Sequence, residues 1–302
     1  MGGRSERGRA GLEQEIGALL RHPRYEIIPL SGIEEEVHRW AGKEAGKGAT
    51  LTITASPTRG IEPTISLLER LHDGGYPGGL LVPHLSARLI ESKEHLREVV
   101  GRLKGCGVEE VFVVGGDARE PVGEFHEALG LLEALEELGR PFERVGIAGY
   151  PEGHPSIGEE ALLEALIKKA FYASYVVSQI CFDASRIVGW IERIRGLGVS
   201  LPVVVGVAGP VDPAKLARIA ARIGIGESAR FLRKQRGWLL RLLMPSTFSY
   251  DPDALLEELG RRLEEKKSGE GEDYDVVGGL HIYTFNDLGK AVRWVGRHRA
   301  RR

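Results

Sequence analysis

Eight short apolar runs set the limits on what this chain can fold into. They read YEIIPL, ATLTITA, GLLVPHL, EVFVVGG, RVGIAGY, YVVSQICF, LPVVVGV and GLHIYTF, and a segment of helical spacing separates most of them. Runs that are almost continuously apolar suit strands buried on both faces, as in a parallel sheet flanked by helices or closed on itself. The helical segments repeat at i, i+3, i+4 and i+7: Leu96, Val99, Val100 and Leu103; Ile187, Trp190, Ile191 and Ile194 behind Asp183 as N-cap; Leu216, Ile219, Ala220 and Ile223 behind Asp212, with Pro213 at the first helical position. An open doubly wound sheet would carry a glycine-rich phosphate turn after its first strand, and YEIIPLSGIEEE has a lone glycine. The pattern therefore predicts an α/β fold, a single (β/α)8 TIM barrel over residues 1–302 with its core at about 24–298. Between strands 7 and 8 it predicts an extra helical segment of two helices, the second opened by Asp251 and Pro252, followed by KKSGEGEDYD as a charged surface loop. Trp238, Leu239, Leu240, Leu242 and Leu243 belong to the first of these helices as core-covering residues.

Composition narrows the function classes. Forty-one Lys and Arg against 43 Asp and Glu give a formal charge of −2, which leaves no nucleic-acid footprint. The basic runs RSERGR and GRHRARR near the two ends read as frayed, solvated termini. Two cysteines, Cys106 and Cys181, without a C-x-x-C pair, support neither a disulfide framework nor structural zinc. With no signal-type apolar core and no run of ~18 apolar residues, the expectation is a cytoplasmic chain without a membrane partner.

In a barrel of this kind, function collects at the carboxyl ends of the strands. The polar residues there are Thr54, His84, Asp117, Tyr150, Glu152, His154, Gln179, Tyr283, Thr284 and Asn286. Glu26 differs, because it sits inside the first strand between Tyr25 and Ile27. A carboxylate there is solvated, paired, or raised in pKa for proton transfer, and alternation alone leaves all three open. Asp117 either closes a turn after two glycines or meets a ligand, and Gln179 is either a satisfied core amide or a partner for a bound heterocycle. His84, His154 and His281 lie on different strands with no His-x-x-x-His pair, so no metal site is predicted.

YEIIP, PHLSAR, VFVVGGD, IAGYPEGHP, SQICFD, LPVVVGVAGPV and HIYTFN resemble, in order and at similar intervals, the motifs of the methylenetetrahydrofolate reductases from about Tyr25 to about Asn286. Tyr-Pro-Glu-x-His-Pro is the most specific of them. The resemblance implies a barrel oxidoreductase of one-carbon metabolism that reduces 5,10-methylenetetrahydrofolate to 5-methyltetrahydrofolate with NAD(P)H, usually through bound FAD. It implies Glu26 as the acid that protonates the folate, with Asp117, Gln179 and Tyr283 holding the substrate. Thr54, His84, Gly116, Asp117, Tyr150, His154 and Lys168 would then be cofactor contacts.

Several positions depart from the family pattern. Gly115 stands where flavin-containing members have Arg, Ala161 and Glu164 replace polar or acidic groups on the fifth helix, and Asp287 replaces a closing Arg. The aromatic residue expected after the seventh strand is absent from VDPAK. An anionic diphosphate would meet fewer cations and one extra carboxylate. Direct hydride transfer from nicotinamide to folate, as in divergent actinobacterial members, is the other route the resemblance allows. The competing readings are a folate-binding or complex-forming protein without turnover, and a reductase of another reduced pterin. NADH against NADPH, and pairing into a homo-oligomer, are left open.

Overall fold

The computed structural model describes residues 2–41, 48–154, 156–211, 252–270 and 277–300, with the side chains of 2–10 and 268–270 left aside. Eight parallel strands close into a barrel in sequence order. They are β1 (Arg24–Ile27), β2 (Thr50–Ile53), β3 (Leu81–Ser86), β4 (Glu110–Val114), β5 (Arg144–Gly149), β6 (Tyr175–Ser178), β7 (Val203–Ala208) and β8 (Val277–Tyr283), and β8 pairs with β1 to complete the ring. The helices are α1 (Gly2–Leu19), α2 (Ile33–Ala41), α3 (Glu62–Asp73), α4 (Lys93–Gly105), α5 (Ala128–Glu137), α6 (Glu159–Ala170), α7 (Ala184–Gly196), α8 (Asp253–Glu270) and α9 (Leu288–Ala300). All eight predicted strands are present, and the closed ring leaves no sheet edge to protect.

Two apolar cores follow from strand alternation. Tyr25, Ile27, Leu51, Ile53, Leu81, Val111, Val113, Ile147, Val203 and Val205 point outward into the layer beneath the helices. Inside the ring, Val82, Phe112, Tyr175, Val177 and Val204 form a smaller cluster with Val114 and Ala148. On α4, Leu96, Val99 and Leu103 are buried; on α7, Ile187, Ile191 and Ile194 are buried, and Asp183 caps the helix by accepting from Ser185 N and Arg186 N.

The barrel floor is ionic. Arg24 donates to Glu110 through both terminal nitrogens and to the Tyr175 hydroxyl at 3.3 Å, and Arg144 approaches Glu110 at 3.6 Å. Gly146 makes room for this arrangement, because a Cβ there would lie 2.3 Å from the Tyr175 ring. The pair satisfies itself, as a desolvated ion pair must.

Three local expectations change. The RSERGR run belongs to α1 rather than to a frayed end, and α1 is anchored through buried Leu19 and a 2.9 Å bond from Lys267 on α8 to Glu15. Most of GRHRARR lies in α9, where Arg299 donates to the backbone carbonyls of Leu20 and Arg21 at 3.0 and 2.8 Å. Those carbonyls have no acceptor duty within α1, so a long cation from a neighbouring helix satisfies them. The KKSGEGEDYD segment begins as helix, since α8 continues to Glu270. Its remainder lies outside the described residues, as do the expected helix behind Asp212 and Pro213, the Trp238–Leu243 segment and Asp251. No helix among the described residues is long and apolar enough to cross a membrane.

Candidate active site at the barrel mouth

Arg24 and Glu26 alternate with outward Tyr25 and Ile27, so β1 sends one cation to the floor and one carboxyl toward the middle of the barrel. The Glu26 side chain retains 16% of its exposure and meets two imidazoles, His281 Nε2 at 3.2 Å and His84 Nε2 at 3.9 Å. Burial pushes His84 down to about 4, with the Glu26 charge opposing the shift and His281 adding to it, so His84 is neutral at neutral pH. His84 packs edge-on to Phe112 with centroids 4.7 Å apart, and its Nε2 has no hydrogen-bond partner among the described residues.

The β8–β1 seam holds this layer in register. Asn286 bridges the Ile28 backbone, its Oδ1 accepting from Ile28 N at 2.7 Å and its Nδ2 donating to Ile28 O at 2.8 Å. Thr284 Oγ1 donates to the Glu26 carbonyl. Asn286 reaches this position with φ of 56°, a left-handed conformation that asparagine tolerates better than most residues.

Above Glu26, the Tyr283 ring lies tilted against His281 with centroids 4.7 Å apart, and its hydroxyl donates to Ser178 O at 3.3 Å. Burial, followed by the charges of Glu26 and Tyr150, raises that hydroxyl well beyond its ordinary value, so Tyr283 is a neutral donor. Gly206 is the reason the ring fits: a Cβ there would lie 2.1 Å from Ser178 O and 2.9 Å from Tyr283 Cε2. Gly206 N donates to Ser178 Oγ at 2.8 Å, and Gln179 N donates to Gly149 O at 2.9 Å. The Gln179 side-chain nitrogen is buried without a hydrogen-bond partner among the described residues.

The rim continues through Tyr150 and Asp117. Burial first and the Asp117 charge second raise the Tyr150 hydroxyl, and the Tyr150 ring meets His154 in a T-shaped contact at 5.4 Å. Asp117 is exposed. It follows Gly116, whose φ of 95° favours glycine and where a Cβ would lie 1.8 Å from Ser86 Oγ. Thr54 turns its hydroxyl to its own chain, donating to Ala55 O at 3.1 Å. Lys168 lies apart: its ammonium pairs with Glu164 at 2.7 Å, and at 1.5 Å per residue it sits roughly 14 Å along α6 from the end that faces the mouth.

The structure thus gathers Glu26, His84 and Tyr283 in one cluster, links it to Tyr150, Asp117 and His154, and leaves Lys168 outside. His281 is the residue that the sequence argument passed over, having weighed it only as a metal ligand. Its spacing of two from Tyr283 on β8 was the available signal, since both then face inward.

Beside the mouth, a cleft of about 550 Å³ opens between the Tyr150–His154 loop, α6 and α7, with Leu163, Arg186 and Trp190 among its lining. Its charges do not suit a diphosphate. Glu152 and Glu159 line it, and Arg186 already lies 3.8 Å from Asp183. Together with Gly115 and the paired Lys168, these residues offer the diphosphate of a bound dinucleotide little positive charge on this side of the mouth.

Fold and site together define a (β/α)8 barrel with its polar cluster at the carboxyl-terminal mouth, the layout of barrel enzymes. A sequence model described as Methylenetetrahydrofolate reductase matches residues 80–226. Methylenetetrahydrofolate reductase 2 of Saccharomyces cerevisiae is 23% identical over 274 residues, covering 76% of this chain and 43% of the yeast protein. The probable methylenetetrahydrofolate reductase (NADPH) of Caenorhabditis elegans is 27% identical over 139 residues, 43% of this chain and 20% of that protein. Methylenetetrahydrofolate reductase (NADH) 1 of Zea mays is 26% identical over 136 residues, 39% of this chain and 22% of the maize protein. Along these stretches the chain is similar to the methylenetetrahydrofolate reductases. Its matches span less than half the length of these relatives.

Proposed function

We propose that this chain reduces 5,10-methylenetetrahydrofolate to 5-methyltetrahydrofolate with a reduced nicotinamide as the direct hydride donor. The observation that carries the reading is the Glu26 carboxyl, enclosed in the barrel and facing the mouth among groups that stay neutral at neutral pH, His84 and Tyr283. A proton donor needs such an enclosed place within reach of the substrate. Glu26 gives its proton to a folate ring nitrogen; the carbon–nitrogen bond of the five-membered ring breaks toward that nitrogen, leaving a methylene iminium. The nicotinamide supplies the hydride that reduces this carbon to the methyl group, and Glu26 regains a proton from solvent. Gln179 donates its unused amide hydrogens to the pterin edge, Tyr283 and Asp117 border the same ring, and Tyr150, His154, Thr54, His84 and Gly116 shape the mouth for the nicotinamide.

The test is anaerobic oxidation of NADH or NADPH on adding 5,10-methylenetetrahydrofolate to protein whose visible spectrum shows no flavin, with 5-methyltetrahydrofolate identified as product. Turnover without FAD is expected. Turnover only after adding FAD would overturn direct transfer, and tight folate binding with no turnover under either condition would make the chain a binding protein.

A further inference from the structure

We infer that His281 is a positioning residue for the proton donor: its Nε2–H holds Glu26 Oε2, so that the transferable proton sits on Oε1. The inference rests on Glu26 being the acid. The two groups meet at 3.2 Å on adjacent strands, with the His281 side chain 1% exposed. The other ring nitrogen, Nδ1, is buried with no hydrogen-bond partner among the described residues. A neutral imidazole carries one hydrogen, on either nitrogen. Placed on Nδ1, it would be a buried donor with nothing to accept it, which folded proteins rarely tolerate; placed on Nε2, it is satisfied by Glu26, and only a lone pair goes unmet.

With that hydrogen on Nε2, Oε2 is occupied as an acceptor. A protonated Glu26 therefore carries its proton on Oε1. Once the proton has gone to substrate, the same bond becomes charge-assisted and stabilises the carboxylate left behind. His281 thus sets both the direction of transfer and the ease of losing the proton. The titratable groups that face it are Glu26 from β1, His84 from β3 at 6.4 Å between centroids, and Tyr283 from its own strand. His84 is neutral near pH 7, so it does not compete as a cation for Glu26.

The experiment compares wild type, His281→Phe, His281→Gln and Glu26→Gln by kcat and KM across pH 5.5 to 9.5, with circular dichroism as the folding check. His281→Phe keeps an aromatic ring against Phe112 and Tyr283 but has no donor. Its kcat should fall on the order of tenfold or more with little change in KM, and the alkaline limb of the kcat profile should move up by about one pH unit, because the carboxylate has lost its donor. His281→Gln, which retains an N–H, should recover part of both. A wild-type kcat and alkaline limb in His281→Phe, with Glu26→Gln inactive, would overturn the positioning role alone; an active Glu26→Gln would overturn the acid assignment beneath it. Nitrogen-15 spectra of histidine-labelled wild type read the tautomer independently of any variant. Hydrogen on Nε2 of His281 is expected, and hydrogen on Nδ1 would refute the inference even if the variants fail to fold.

Discussion

Gly206→Ala tests whether the packing that aims Tyr283 and Gln179 is as tight as the barrel geometry implies. A methyl at this position would lie 2.1 Å from Ser178 O, 2.8 Å from Gln179 O and 2.9 Å from Tyr283 Cε2. Two of those atoms are backbone, so relief cannot come from swinging a flexible side chain. Ser178 O must retreat by about 1 Å before the contact becomes tolerable, which pulls the end of β6 away from β7. That movement strains the 2.8 Å bond from Gly206 N to Ser178 Oγ and the 3.3 Å bond from Tyr283, and it carries Gln179 with it. Overpacking of this kind costs about 1 to 3 kcal/mol, which should appear as a fall in Tm of a few degrees. A misplacement near 1 Å at a substrate contact can cost on the order of a hundredfold in rate, so folate turnover should fall well beyond what the stability loss explains. Gly101→Ala and Gly189→Ala are the internal controls: both sit in helices, a Cβ at either meets open space, and each should stabilise by about 0.5 to 1 kcal/mol with turnover unchanged. Thermal melts and initial rates on the three variants suffice. A Gly206→Ala protein that melts and turns over like the helix controls would refute the claim that this glycine sets the mouth geometry.

Glu26→Gln should lower kcat by about a hundredfold or more while the far-ultraviolet circular dichroism stays unchanged, since the amide keeps the shape but cannot give up an acid proton. Arg24→Met removes one partner of a buried ion pair whose side chains are each 9% exposed, and urea unfolding should show a loss of about 3 to 5 kcal/mol. The acid limb of stability should carry a His84 contribution: held near 4 in the folded state against an ordinary 6.5, the imidazole binds its proton more readily once unfolded. Stability is therefore full above about pH 6.5 and falls as pH drops toward 4, by roughly 3 kcal/mol in all. Urea midpoints of wild type and His84→Phe compared at pH 7.5 and 4.5 should show a smaller loss in the variant, and equal losses would refute the assignment.

Strand count and closure were legible because fully buried parallel strands leave uninterrupted apolar runs, and β1 to β8 all fall within the runs that the sequence marks or one or two residues beyond them. The caps were legible for a similarly local reason, as at Asp183, where the side chain serves its own helix. The basic ends were misread because their role is not local: what Arg299 satisfies is the turn that follows α1, 279 residues earlier in the chain. Charge composition cannot separate a cation in solvent from one that finishes another helix.

The site was legible in part for a geometric reason. Alternation within a strand tells which residues face inward, so Glu26, His84, Gln179, His281 and Tyr283 could all be assigned to the interior from sequence. It does not tell which of them share a layer, because in a closed barrel the level of each strand depends on the stagger accumulated around the ring. Glu26 lies directly beside Tyr283 in the β1–β8 pairing, yet its closest ring contact is His281, two residues back along β8. Parallel register names the neighbour of the backbone, whereas strand tilt decides the neighbour of the side chain. For that reason a functional histidine can be read as inward from its sequence while its partner is fixed only by the closed barrel.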